Sequence, residues 1–294
     1  MIVLFTSNRP LNRAENIRTV FEAYDGDKVF TQMRPPERIP NINKYDLQVT
    51  DELPSYTPGK CLFIGHGMGA CKTYGLDQPH AYFRSPHLVT YAIASSKEMV
   101  SIVSKQIGID RSQVIPLGMP RTDAYFKPCA TKGYALYAPT FRPGRWSPDW
   151  NELHRHMTGD MHVVCKPHPV TGRIPADMWQ GISEASPDVP TTPYLMQADK
   201  VITDYSSIMF DAMVLRKPLI LFAKDREEYL RTRKMYYLYP NDYSDHYCET
   251  ERDLAGMIKT AQWDGKLEEA RWFFTGACDG HSTDRVLELI RSIL

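Results

Sequence analysis

Apolar runs of five to seven residues, each bounded by turn formers, alternate along the chain with segments whose apolar positions recur every three or four residues. The first half carries the runs "IVLFT" (2–6), "KVFTQ" (28–32), "CLFIG" (61–65) and "VTYAIAS" (89–95), which predict strands. Among them, "NRAENIRTVFEAY" (12–24) sets Ile17, Val20 and Phe21 on one face, and "SKEMVSIVSKQIG" (96–108) opens on a serine cap and closes at Gly108. Both segments predict helices. The second half repeats the plan, with strands expected at 134–139, 162–166, 200–204 and 218–223 and helices near 149–157, 206–216, 226–234 and 251–262. A last helix, "TDRVLELIRSIL", covers 283–294.

Strand and helix in strict alternation predict parallel sheets with helices on both sides. The stretch "PRTDAYFKPCATKG" (120–133) has no periodicity and is rich in punctuating residues, so it divides the chain. The expected organisation is a domain over 1–127, a second over 128–282 and a closing helix over 283–294. Halves of roughly 130 to 160 residues are each long enough for a core of their own. Open α/β sheets bind ligands beyond the carboxyl ends of their strands, which directs attention to the residues just after each run.

Composition narrows the function classes. Of 294 residues, 43% are apolar and 35 basic residues balance 35 acidic ones, so no overall field draws the chain to nucleic acid or anionic lipid. No apolar stretch reaches the ~18 to 20 residues of a membrane helix, and "MIVLFTSNRP" lacks the basic start of a signal peptide, so a cytoplasmic protein is expected. The six cysteines, at 61, 71, 129, 165, 248 and 278, never show the two-residue spacing of a metal knuckle and read as free thiols. The histidines of "HRH" (154–156) leave a helix in different directions and read as a solvated face.

Three stretches carry chemistry. "FIGHGMGACKT" (63–73) imitates a nucleotide loop, but Gly75 and Pro79 follow where a helix is required, and Cys71 takes the place of the glycine that precedes a phosphate-binding lysine. Gly65 and Gly67 then either bare His66 to another molecule or form a surface turn. "CKPHP" (165–169) brackets His168 with prolines and holds it, with Lys166, in extended backbone at a strand's carboxyl end. "ADKVITDYSSIMFDAMVLRKP" (198–218) ends a strand at Thr203 and offers Asp204 and Ser206 as helix caps; the amides and hydroxyls of Ser206 and Ser207 suit a phosphate, and Asp211 suits ribose hydroxyls. Arg142 in "LYAPTFRPGRW" (136–146) adds a planar fork for phosphate oxygens. "REEYLRTRKMYYLYP" (226–240) reads as a solvated helix with packed aromatics.

On these stretches, together with "LGMPRTDAYF" (117–126) and "DGHSTDRV" (279–286), the chain resembles the CDP-glycerol glycerophosphotransferases, the teichoic acid primases and polymerases. The resemblance implies a GT-B fold, two Rossmann-like domains facing across a cleft, with the CDP donor on the second and the acceptor near the first. It implies His66 as acceptor-side base, flanked by Gly65, Gly67 and Lys72, and His168 as the second catalytic group beside the donor diphosphate. Arg142, Lys166, Thr203, Asp204, Tyr205, Ser206, Ser207 and Asp211 would then bind the donor. The implied reaction moves glycerol phosphate, or a similar polyol phosphate, from its CDP ester to a hydroxyl of a glycan, lipid-linked saccharide or teichoic-acid-like polymer and releases CMP. No metal and no cofactor beyond the CDP-polyol substrate is expected, and a lipid-linked acceptor would bring the protein to the inner membrane face. A sugar transferase on the same fold and a non-catalytic module binding nucleotide-linked polyols are the alternatives.

Overall fold

The computed structural model describes residues 1–32, 39–65, 67–68, 72, 86–140, 148–157, 162–167, 182–186, 189–233 and 235–294. The chain forms two compact units, one of Met1–Lys127 and Trp272–Leu294, the other of Pro128–Arg271. The first holds β1 (Ile2–Ser7), α1 (Glu15–Ala23), β2 (Asp27–Gln32), β3 (Leu47–Thr50), β4 (Cys61–Phe63), β5 (Tyr91–Ile93), α2 (Val100–Ile107) and β6 (Val114–Ile115). Its six strands are all parallel and lie in the order β2-β1-β3-β4-β5-β6. The direction of winding reverses between β1 and β3, and the residues just after those strands therefore line a switch-point crevice.

The second unit holds β7 (Tyr134–Tyr137), α3 (Trp150–His156), β8 (His162–Cys165), β9 (Ile182–Glu184), α4 (Thr191–Gln197), β10 (Lys200–Thr203), α5 (Ile208–Val214), β11 (Leu219–Phe222), α6 (Arg226–Thr232), β12 (Tyr247–Cys248), α7 (Glu251–Thr260) and the start of α8 (Gly265–Thr275). Its sheet is also parallel, in the order β12-β11-β10-β7-β8-β9, the Rossmann sequence of strands, with the reversal between β7 and β10. One face buries Ala135, Tyr137, Val163, Ile202, Ile220 and Phe222 against Trp150 and Leu153 of α3 and Leu254 and Ile258 of α7. The alternate residues Leu136, Val201, Leu219 and Leu221 are equally buried, so both faces are covered and the strands read as unbroken apolar runs.

The chain returns to the first unit at Trp272, ten residues before the end expected for the second domain, and finishes in α9 (Ser282–Ile293). Hydrogen bonds make the return: Ser95 Oγ donates to the Phe274 carbonyl and Ser96 Oγ to that of Phe273, both at 2.6 Å, and Ala277 N donates to Ser95 O at 2.9 Å. Gly118 has φ +81, and a Cβ there would stand 2.3 Å from both Ala277 O and Ser282 Oγ, so the returning segment lies where only glycine leaves room. Arg285 donates to Leu117 O and Ala277 O at 3.0 and 2.6 Å and grips both oxygens of Asp279. The "LGMPRTDAYF" and "DGHSTDRV" stretches are thus two halves of one structural joint.

α2 ends at Gly108 in the left-handed conformation, as expected, while the expected serine cap works one turn early: Ser96 Oγ accepts from Met99 N at 3.2 Å, and the helix proper starts at Val100. The histidines of α3 are solvent-exposed. Cys61, Cys129, Cys165, Cys248 and Cys278 are free thiols, and Cys71 lies outside the described residues. No described helix is long and apolar enough to cross a membrane.

Candidate active site

In the second unit the switch point is built by two strand ends tied to each other. Thr203 closes β10 fully buried, and its hydroxyl donates to the Ala138 carbonyl beyond β7 at 2.6 Å. Asp204 follows at 1% exposure, and its Oδ1 accepts from Thr140 N at 2.8 Å and from Tyr205 N at 2.6 Å. One carboxylate oxygen therefore holds the backbone of both neighbouring strand ends at the edge where a ligand is expected. The aspartate acts as a bracket between strands, where the sequence pattern suggested a helix cap.

α5 starts at Ile208 with Ser207 at the capping position, and the Ser207 side chain makes no capping bond. The carbonyls of Ser206 and Ser207 accept from Met209 N and Phe210 N at 3.2 and 3.1 Å. Both serines are half-buried, the most exposed positions from Lys200 to Ser207. With the Met209 and Phe210 amides so engaged, the serine hydroxyls are the donors that this edge offers to an anion.

Tyr205, expected among the donor contacts, is 0% exposed and points into the unit: its hydroxyl donates to Asp225 Oδ1 at 3.1 Å and its ring stacks on Tyr229. Asp211, expected to meet ribose hydroxyls, is 5% exposed inside α5. Lys166 is 6% exposed; its ammonium donates to the carbonyls of Ser186 and Val189 at 2.6 and 2.8 Å and lies 5.7 Å from the Tyr194 ring centroid. These bonds staple the loop after β9, so in this structure the lysine serves the fold. Thr203, Asp204, Tyr205 and Lys166 support the edge, and Ser206 and Ser207 are its more exposed residues.

In the first unit, Gly65 is buried two residues past β4, at φ +59. A Cβ there would meet only ordinary contacts, 3.7 Å at the nearest, so the glycine is required by its left-handed backbone and not by a close approach. Asn16 of α1, 1% exposed, donates from Nδ2 to the Gly65 carbonyl at 2.9 Å and accepts from Arg121 N at 3.0 Å. Gly67 is half-buried, and the carbonyl of Lys72 accepts from Gln106 Nε2 of α2 at 3.2 Å. His66, His168 and Arg142 lie outside the described residues.

Sequence reasoning missed a second polar group at the first unit's own switch point. Asp51, one residue past β3 and 1% exposed, accepts from Ser7 Oγ at 3.0 Å, and burial pushes its pKa up to about 6. Burial, then the charge of Asp51, pushes Glu52 up to about 7. The turn-rich "TDELP" gave no period to mark these residues.

Comparison with known proteins places this geometry in context. A family model described as CDP-glycerol:poly(glycerophosphate) glycerophosphotransferase matches residues 45–292. The teichoic acid poly(ribitol-phosphate) polymerase of Bacillus spizizenii is 27% identical over 261 residues, which cover 77% of this chain and 42% of that protein. The teichoic acid glycerol-phosphate primase of Bacillus subtilis is 25% identical over 261 residues, covering 80% of this chain and 68% of the relative. The chain thus spans less than half the length of the first of these relatives. Among solved structures, the wall teichoic acid polymerase TagF matches with a TM-score of 0.81 at 17% identity, over 99% of this chain and 88% of the other. That likeness gives the chain a GT-B-like fold of two Rossmann-like units.

Proposed function

Because the chain belongs to the CDP-glycerol:poly(glycerophosphate) glycerophosphotransferase family, we propose that it transfers glycerol phosphate, or a similar polyol phosphate, from a CDP-activated donor to a hydroxyl acceptor and releases CMP. The observation that carries the proposal is the half-buried Ser206–Ser207 pair at the switch point of the second unit, on a loop bracketed by Asp204. Hydroxyls there suit the diphosphate of a nucleotide-activated donor. The acceptor is a glycan, a lipid-linked saccharide or a teichoic-acid-like polymer, and a lipid-linked one brings the protein to the cytoplasmic face of the membrane.

In the proposed reaction the acceptor hydroxyl attacks the polyol-side phosphorus in line. A new oxygen–phosphorus bond forms, the bond from that phosphorus to the oxygen bridging to CMP breaks, and the hydroxyl proton passes to His66, whose neutral imidazole suits this role near pH 7. Negative charge grows on the phosphoryl oxygens and on the departing CMP. His168 in its protonated form, Arg142 and the donors at Ser206 and Ser207 stabilise it, which makes the transfer independent of a metal ion.

Incubation of the purified chain in EDTA with CDP-glycerol, UDP-sugars or GDP-sugars, over a panel of cell-envelope acceptors, tests the proposal. CMP release that requires both CDP-glycerol and an acceptor is the expected result, and His168→Ala should lower it ~100-fold or more with the fold intact. UDP or GDP release in its place would make the chain a sugar transferase. Donor binding without turnover would make it a binding module, and activity restored only by a divalent cation would overturn metal independence.

A further inference from the structure

Asp225 stands three residues past β11 at the capping position of α6, where an aspartate ordinarily accepts from the helix's own first amides. It makes no such bond. The carboxylate, 7% exposed, is turned to the neighbouring loop, where Oδ1 accepts from the Tyr205 hydroxyl at 3.1 Å. At this position the aspartate reaches the loop that carries the serine pair.

Tyr205 is held on its other sides as well. Its ring lies on Tyr229 of α6 with centroids 3.7 Å apart and planes 4° from parallel, and Tyr239 packs against it at 4.9 Å. The Tyr239 hydroxyl donates to the Asp204 carbonyl at 3.4 Å, while Asp204 Oδ1 accepts the amides of Thr140 and Tyr205. The peptide between residues 204 and 205 is therefore tied to the end of β7, to the start of α6 and to the segment around Tyr239. A loop tied on three sides leaves the next two residues, Ser206 and Ser207, little freedom to lose when they take a ligand.

We propose that Asp225, Tyr205, Tyr229 and Tyr239 form a positioning clamp that presets the Ser206–Ser207 loop for the donor's diphosphate. The clamp rests on the transfer reading above. None of its four side chains touches the donor; they act through the backbone that carries the serines. Positioning of this kind raises affinity by removing the cost of ordering the loop, so its loss falls on the donor and spares the acceptor.

Steady-state kinetics of the full chain test this, with CDP-glycerol and acceptor varied separately. Tyr205→Phe keeps the stacked ring and removes only the hydroxyl, and Asp225→Ala removes the partner. Each should raise the KM for CDP-glycerol about 10-fold, the size of one hydrogen bond to a charged group, and leave the acceptor KM within 2-fold. The double variant should be no worse than either single one, because both lose the same bond. Asp225→Asn, whose amide oxygen still accepts, should recover most of the loss. Leu254→Ala in the core of the same unit is the control: it lowers the melting temperature and leaves the donor KM unchanged. A Tyr205→Phe enzyme with wild-type donor KM, or a Leu254→Ala enzyme with the same KM rise, would overturn the clamp while transfer stands. A wild-type chain that binds CDP without turnover, its affinity falling in the clamp variants alone, would instead remove the transfer reading and keep the clamp. A chain that neither binds CDP nor turns over CDP-glycerol removes both.

Discussion

At the scale of single residues, burial decides the protonation of Asp51 and Glu52. Their carboxyls are pushed up to about 6 and about 7 from ordinary values of 3.8 and 4.5, while Ser7 and the charge of Arg9 pull Asp51 the other way. Between about pH 4 and 7 the native state therefore holds protons that the unfolded chain has already released. This contribution to stability is full below pH 4 and is lost as pH rises through 6 to 7. Glu52→Gln stays neutral at every pH, so it should raise the melting temperature at pH 8, by the equivalent of roughly 1 to 3 kcal/mol, and change little near pH 4.5. Thermal denaturation from pH 4.5 to 8 reads the difference, and an unaltered slope would show that Glu52 already ionises freely. Glu268 has the opposite sign: Arg271 and Arg216 hold it down to about 2, and its contribution fades only under acid conditions. Neither burial was visible in the sequence. The Ser206–Ser207 pair was legible because strand, polar turn and helix follow in order. The inward turn of Tyr205 was not, since its partners Asp225 and Tyr239 lie 20 and more positions away.

At the scale of elements, α9 shows how a helix can be capped from a distance. Its own capping residue, His281, makes no capping bond with its side chain. Asp123 supplies the cap, accepting from Ser282 N at 3.0 Å, Thr283 N at 2.7 Å and Thr283 Oγ1 at 2.6 Å. Asp123→Ala should cost about 2 kcal/mol, the upper range for a lost cap, and Gly118→Ala roughly 2 to 4 kcal/mol, because its Cβ has no space and its φ is left-handed. Chemical denaturation of both variants checks the pair; a Gly118→Ala protein as stable as wild type would show that the returning segment sits looser than its hydrogen bonds imply. Longer elements with a clean period were readable from the sequence, among them β1, β10, β11, α1 and α7. Several of the elements left out had reasons to be. β6 and β12 are two residues long, β3 carries the buried Gln48 inside its apolar run, and α4 places Pro193 in its first turn, where the missing N–H does no harm but the sequence signals a break.

At the scale of the whole molecule, the chain's last residues complete the unit that its first residues begin. α9 buries Val286, Leu287, Ile290 and Ile293, and it packs on α1, whose Ile17 and Val20 are fully buried. Burying four aliphatic side chains contributes on the order of 6 to 12 kcal/mol, as much as the whole net stability of an ordinary domain. Removal of residues 282–294 should therefore unfold the first unit and leave the second folded. Hydrogen exchange is the measurement: amides of β1, β3 and β4 should lose their protection, while those of β7, β10 and β11 keep it. The clamp around Tyr205 belongs wholly to the second unit, so under the proposed function the shortened chain should still bind CDP even as transfer, for which His66 is the proposed base, disappears. Protection retained across the first sheet would mean that α1 and the strands hold without α9. Protection lost in both sheets together would mean that the two units fold as one cooperative body.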